Sequence, residues 1–215
     1  MGAAGVRLRA AAVAVAAAAA CLGPATASAR AETKPVVGGE ALGSPRIVVG
    51  KGAPPVPAVS AAAWVVADAD TGEVLGARDA HGRYLPASTL KTLTAVALLP
   101  ALDLRKPYQP SFEDVNIEGS KVGLVQSVRY PVGKLVEAML VVSGNDAANA
   151  LANAAGGLPA TVDAMNTTAQ RLQAYDTTAR NPSGLDAPGQ VTSAYDLALI
   201  ARAGLRMPTF ARCSA

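Results

Sequence analysis

The chain carries one histidine, two cysteines and 4% aromatic residues among its 215 residues, so several chemistries are short of side chains from the outset. A Ser-His-Asp triad would have to use His81, which sits in the turn-like Asp79-Ala80-His81-Gly82. That setting reads most simply as a solvated turn residue. One histidine and so few thiols cannot build a metal site of the usual nitrogen and sulfur type, so neither a metal nor a cofactor is expected. A nucleic-acid reader would show a basic stripe with base-stacking aromatics. The net charge of +3 and the scarcity of aromatics argue against a nucleic-acid partner. No internal repeat is visible. What the chain has in quantity is apolar residues, 51% of the total and rich in alanine, over a length that suffices for one domain with a core.

The first segment reads as a leader. Arg7 and Arg9 make a basic start, Ala10 to Leu22 is uncharged and apolar, Pro24 breaks the run, and Ala27-Ser28-Ala29 is a small-x-small cleavage site. This pattern predicts a secretory signal peptide over residues 1–29; about 13 apolar residues are too few to span a bilayer. The protein is therefore expected to be exported, to the cell wall or membrane surface outside the cytoplasm, with membrane association left open. Cleavage removes Cys21 and leaves 17 basic against 16 acidic residues, so charge points to no partner. Cys213 is then the one remaining cysteine, either a free thiol or the half of a pair whose partner lies beyond residue 215. Residues 30–60, with Pro35, Pro45, Pro54, Pro55 and Pro57 among several glycines, predict a flexible linker. The ordered domain is expected over 61–215.

Within that domain, Ala62–Ala67 and Glu73–Ala77 flank the turn Asp68-Ala69-Asp70-Thr71-Gly72 and predict a β-hairpin. Helices are predicted from Ser88 to Leu99, from Pro131 to Val142, from a cap at Asp146 through Ala155, from Pro159 through Leu172, and from a Ser193/Asp196 capping box to Leu205. Two strands alone do not make a stable sheet, so further strands are expected beyond residue 215.

Two short motifs carry chemistry. Ser88-Thr89-Leu90-Lys91 is the single Ser-x-x-Lys of the chain and opens an apolar helical run. Residues i and i+3 share a helix face, which brings the Ser88 hydroxyl and the Lys91 amine within reach. Serine needs a base to act as a nucleophile. Burial of Lys91 would lower its pKa and supply that base. The Ser88 N–H, at the helix start, would be one oxyanion donor. The alternative is an N-cap serine with a surface lysine. Ser143-Gly144-Asn145 follows at a helix break, where Ser143 could relay a proton to a leaving amine and Asn145 could hold a substrate carbonyl. Alone, that triplet also reads as a polar turn.

Taken together, these stretches resemble the serine D-alanyl-D-alanine carboxypeptidases, the low-molecular-mass penicillin-binding proteins. Matching segments are Asp68–Leu75, Pro86–Lys91, Gly119–Leu124, Val142–Ala148, Asn181–Asp186 and Tyr195–Ala198, in order across the domain. The resemblance implies an α/β fold, a β-lactamase/transpeptidase-like antiparallel sheet with an inserted helical region. It implies Ser88, Lys91 and Ser143 as catalytic residues, Asn145 as substrate-binding, and no metal or cofactor. The implied partners are a peptidoglycan stem peptide, from which the terminal D-alanine is removed through an acyl-enzyme, and β-lactams as acylating inhibitors. The loop Asn181–Asp186 reads as structural.

One family element is missing. No Lys-Thr-Gly or Lys-Ser-Gly follows Asn145. In the family this triplet lies on a later strand and supplies a cation, a hydroxyl and the second oxyanion N–H. The chain is accordingly read as C-terminally truncated, and an inactive or non-catalytic wall protein stays open as an alternative. A class A β-lactamase is disfavoured, because Gly144 replaces the Asp of its second motif and no Glu follows Gly157 to activate the deacylating water.

Overall fold

The computed structural model describes residues 35–214; the leader expected over 1–29 lies outside them. The hairpin forms as its sequence requires. Strands β2 (Trp64–Ala67) and β3 (Val74–Arg78) pair antiparallel. In the turn between them, the Asp68 carboxylate accepts from the Thr71 N–H at 2.6 Å and from its hydroxyl at 2.8 Å. Gly72 there takes φ +82°, which a side chain rarely adopts.

The proline-rich stretch before the hairpin is not a free linker. Ile47–Val49 forms β1 and pairs antiparallel with β3, giving the sheet order β1-β3-β2. Upstream, Glu40–Gly43 makes a 3-10 turn that buries Leu42 beside Ala77, Ala80 and Tyr195. The prolines and glycines masked a three-residue β-branched run whose partner, the second edge of β3, lies outside local sequence. Order therefore begins well before Ala61.

The helical body is built around α1 (Lys91–Leu98), which follows a 3-10 turn at Ala87–Leu90. The helices α3 (Val132–Val141) and α4 (Asn145–Ala154) cover one of its sides, while α5 (Leu158–Arg171) and α6 (Ala194–Leu205) cover the other. On the first side, Ala95 and Leu98 join Leu135, Val136, Met139, Ala147, Leu151 and Phe210. On the second, Leu90, Leu93 and Val96 join Met165, Ala169 and Ile200. The helix that begins just after Ser88 is thus the packed centre of the molecule, and close packing leaves its first turn little freedom.

Three features lay beyond the sequence reading. Pro107–Tyr108 (β4) and Tyr130–Pro131 (β5) pair as a small ribbon, so Pro131 stands at the cap before α3 instead of inside it. A short helix α2 (Phe112–Val115) opens with a Ser111/Asp114 capping box. Pro208, expected to lie beyond the last helix, starts a further one, α7 (Pro208–Cys213). The hairpin is fastened to the body by Arg202 of α6, whose guanidinium donates to the Ala69 and Asp70 carbonyls at 2.8 and 2.9 Å. Among the described residues no helix is long and apolar enough to cross a membrane.

Candidate active site

Ser88 and Lys91 meet as their spacing requires. Lys91 Nζ lies 3.0 Å from Ser88 Oγ. Ser88 is exposed, whereas Lys91 is only 2% exposed. Burial drives the Lys91 pKa down from 10.5 to about 8. The second Lys91 partner came from a segment the sequence reading set aside as structural: Nζ donates to the Ser183 carbonyl at 2.7 Å. The signal was weak, because a backbone carbonyl leaves no mark in a residue pattern.

The 181–185 loop is built to present that carbonyl. The Asn181 side chain accepts from the Ser183 and Gly184 N–H groups at 3.2 and 2.8 Å and donates to the Leu185 carbonyl at 2.7 Å. Gln190, 1% exposed, braces the loop by donating to the same carbonyl. From α1, the Thr94 hydroxyl donates to the Pro182 carbonyl at 2.8 Å. Gly184, at φ +84°, comes so close to Ala87 that a Cβ there would stand 1.8 Å from the Ala87 carbonyl oxygen. Ala87 itself holds φ +46°, an uncommon backbone state for alanine, immediately before Ser88. Strain next to a reactive group persists only where its surroundings enforce it, and here Gly184 stands directly against it.

Ser143 and Asn145 lie at the α3–α4 junction. Ser143 is half-buried and takes φ +61°, a position that helix ends usually give to glycine. The next N–H, of Gly144, closes back onto the Ala138 carbonyl at 3.2 Å. Asn145 is 3% exposed, and its Nδ2 donates to the Glu118 carbonyl at 2.7 Å. Its Oδ1 is buried and has no partner within the protein. The sequence reading gave Asp146 the helix cap; the structure gives the cap to Gly144 and uses Asp146 differently. The Asp146 carboxylate, fully buried, accepts from the N–H groups of Val122, Gly123 and Leu124 at 2.9–3.0 Å. It thereby holds the 119–124 segment against the start of α4.

The two motifs share one neighbour. Ser183 receives Lys91, Gly184 abuts Ala87, and a Cβ at Gly119 would meet both Asn145 Nδ2 at 2.7 Å and the Leu185 side chain at 3.7 Å. The 181–185 loop therefore holds Lys91 on one flank and approaches Gly119, the neighbour of Asn145, on the other. A cavity between α3 and α7, lined by Leu104, Val122, Val141 and Cys213, includes none of the four candidate residues. Cys213 is free and partly buried, and its pKa is raised, by burial first and Glu137 second.

His81 is not the solvated turn residue its sequence setting suggested. Its Nδ1 lies 2.8 Å from Asp176 Oδ2 and its Nε2 lies 3.1 Å from the Val37 carbonyl. The ring also packs against Tyr195, with centroids 4.8 Å apart.

Comparison with known proteins agrees with this architecture. Residues 50–213 match the family model of the D-alanyl-D-alanine carboxypeptidases, peptidase family S11. The carboxypeptidase DacB2 of Mycobacterium tuberculosis is 42% identical over 166 residues, which are 76% of this chain and 57% of that protein. DacD of Salmonella typhimurium is 38% identical over 163 residues, 70% of this chain and 42% of the relative. Among solved structures, a D-alanyl-D-alanine carboxypeptidase of M. tuberculosis superposes with a TM-score of 0.76 at 42% identity, covering 78% of this chain and 64% of that one. Penicillin-binding protein 6B of Escherichia coli gives 0.71 at 33% identity, covering 76% and 56%. The chain belongs to the D-alanyl-D-alanine carboxypeptidase family and has its penicillin-binding-protein fold. It spans about half the length of the curated relatives it matches.

Proposed function

We propose that this chain carries the nucleophilic half of an exported serine D-alanyl-D-alanine carboxypeptidase that trims peptidoglycan stem peptides, and that β-lactams acylate the same serine. The observation that supports this most is the buried Lys91 amine 3.0 Å from an exposed Ser88 hydroxyl, with a pKa lowered to about 8. At neutral pH a useful fraction of Lys91 is uncharged. The neutral amine takes the Ser88 proton as Oγ bonds to the carbonyl carbon of the penultimate D-alanine. The C–N bond then breaks, the terminal D-alanine leaves with a proton relayed through Ser143, and water later releases the acyl group. The Ser88 N–H, in the first helical turn and free of an intrahelical partner, faces the developing oxyanion. The unpartnered Asn145 Oδ1 accepts from a donor on the substrate.

Covalent labelling with fluorescent penicillin tests this reading. The wild-type chain should retain the label through denaturing electrophoresis, and Ser88→Ala should abolish it. Lys91→Met should slow labelling by a factor of about 10² or more. A folded wild-type chain that takes no label would favour the non-catalytic reading.

A further inference from the structure

His81, Asp176 and Asp196 come from three separate segments, the turn after β3, the turn after α5 and the first turn of α6. Each offers one ligand atom, and the three atoms lie within 4.8 Å of one another. The two ring contacts constrain where the hydrogens of His81 can sit. Nε2 of His81 faces the Val37 carbonyl, which only accepts, so Nε2 carries the hydrogen. In the neutral ring, Nδ1 then points a lone pair at Asp176 Oδ2, itself an acceptor, from 2.8 Å. A hydrogen on Nδ1 or a metal cation between the two atoms would each relieve that contact. A proton on Nδ1 would satisfy this pair and nothing else.

Asp196 asks for more than a proton on the ring. It is 1% exposed; Oδ2 accepts from the Thr177 hydroxyl at 2.7 Å, while Oδ1 is buried without any partner in the protein. A divalent cation answers both needs at once, joining His81 and one oxygen of each carboxylate. The surroundings match such a site. A metal-bound histidine donates its other ring N–H to a carbonyl or carboxylate, as His81 does to Val37. The bond from Thr177 orients the Asp196 carboxylate in the same way. The His81 and Asp176 side chains keep 18% and 27% exposure, which leaves an entry from solvent.

We propose that His81 Nδ1, Asp176 and Asp196 bind a divalent metal cation, zinc fitting the one-nitrogen, two-carboxylate donor set best, with water completing the shell. The site shares no residue with Ser88, Lys91, Ser143 or Asn145, and its role is structural. It staples the Val37 segment, the turn after α5 and the start of α6 together. A count of sulfur and nitrogen ligands alone could not find it, because two of its three donors are carboxylates.

The test uses the full chain with Cys21→Ser and Cys213→Ser, so that no thiol competes for the ion. The protein is stripped with EDTA, dialysed, and titrated with zinc chloride by calorimetry. One equivalent should bind, and the melting temperature should rise by roughly 5–10 °C at a hundredfold excess over Kd. His81→Gln and Asp196→Asn should each weaken binding by about tenfold or more, and X-ray absorption of the loaded protein should report one imidazole and two carboxylates. Far-UV circular dichroism checks that each variant is folded; should Asp196→Asn not fold, the partly exposed His81→Gln decides. No zinc uptake by the folded wild type, or equal uptake by wild type and His81→Gln, would overturn the proposal and leave an imidazolium–carboxylate pair in its place.

Discussion

At the residue scale, the buried Lys91 makes two claims about pH. Its pKa of about 8 means that the neutral base is a minority below that value. The rate of penicillin acylation should climb roughly tenfold per unit from pH 6 to 7.5 and flatten above about 8.5; a flat profile over that range would remove Lys91 as the base. The same shift has a stability counterpart. A folded pKa below the unfolded one means that the unfolded chain holds more protons between the two, so stability must rise with pH across that window. The stability difference between wild type and Lys91→Met should move in favour of wild type by about 2 kcal/mol from pH 8 to 9.5, measured by urea unfolding. Gly184 is the second residue with a specific demand. Gly184→Ala drives a Cβ into the Ala87 carbonyl at a positive φ, whereas Gly123→Ala has a similar φ and open space. The first should cost about 2–4 kcal/mol and slow acylation, the second about 1–2 kcal/mol; equal costs would show that the contact with Ala87 carries no weight. Ser88 and Lys91 were legible in the sequence because one helical turn relates them. The Ser183 carbonyl was not, since a backbone acceptor 92 residues away leaves no residue type to read. His81 was misread for a similar reason, its partner Asp176 lying 95 residues away.

At the element scale, the α3–α4 junction depends on Asp146. One carboxylate there holds three successive N–H groups of the 122–124 segment, and the preceding Ser120 and Glu118 carbonyls bind Asn145. Replacing it with Asn keeps one acceptor oxygen and removes the charge that strengthens each bond. Asp146→Asn should destabilise the fold by about 2–4 kcal/mol and release amide-exchange protection at residues 122–124 before global unfolding. Retained protection at those amides would mean that the segment is held by something else. Helix periodicity made α3 and α5 legible to within a few residues, because each buries an apolar stripe, while α4 was legible from its capping and glycine stop signals. The loop that Asp146 organises was visible only as a matching sequence stretch, since its order comes from a carboxylate on another element. The strand β1 stayed hidden because three β-branched residues are too short a run to outweigh the prolines around them, and only the free edge of β3 gives them a partner.

At the scale of the whole molecule, the 35–49 segment matters because it lies outside the family match yet is part of the packed structure. The match begins at residue 50. Ahead of it, Leu42 is 5% exposed, Val36, Val37 and Val48 pack on the cluster of Ala77, Ala80 and Tyr195, and β1 supplies one of the three strands. Removing this segment exposes the sheet edge and the α6 face together. Burying one leucine is worth about 2 kcal/mol, and the lost valine contacts and ladder bonds raise the total to at least about 4 kcal/mol. Domains of this size are stable by only about 5–15 kcal/mol, so that loss is a large share of the whole. The nucleophile, in contrast, rests on α1, whose two packed faces draw nothing from residues before 50. A chain starting at Gly50 should therefore melt about 8 °C or more below one starting at Pro35, while its folded fraction acylates with penicillin at an unchanged rate. Differential scanning fluorimetry and labelling at low temperature separate the two effects. Equal melting temperatures would return the segment to the status of a linker, and a lost labelling rate at full foldedness would mean that the sheet, and not α1 alone, positions Ser88.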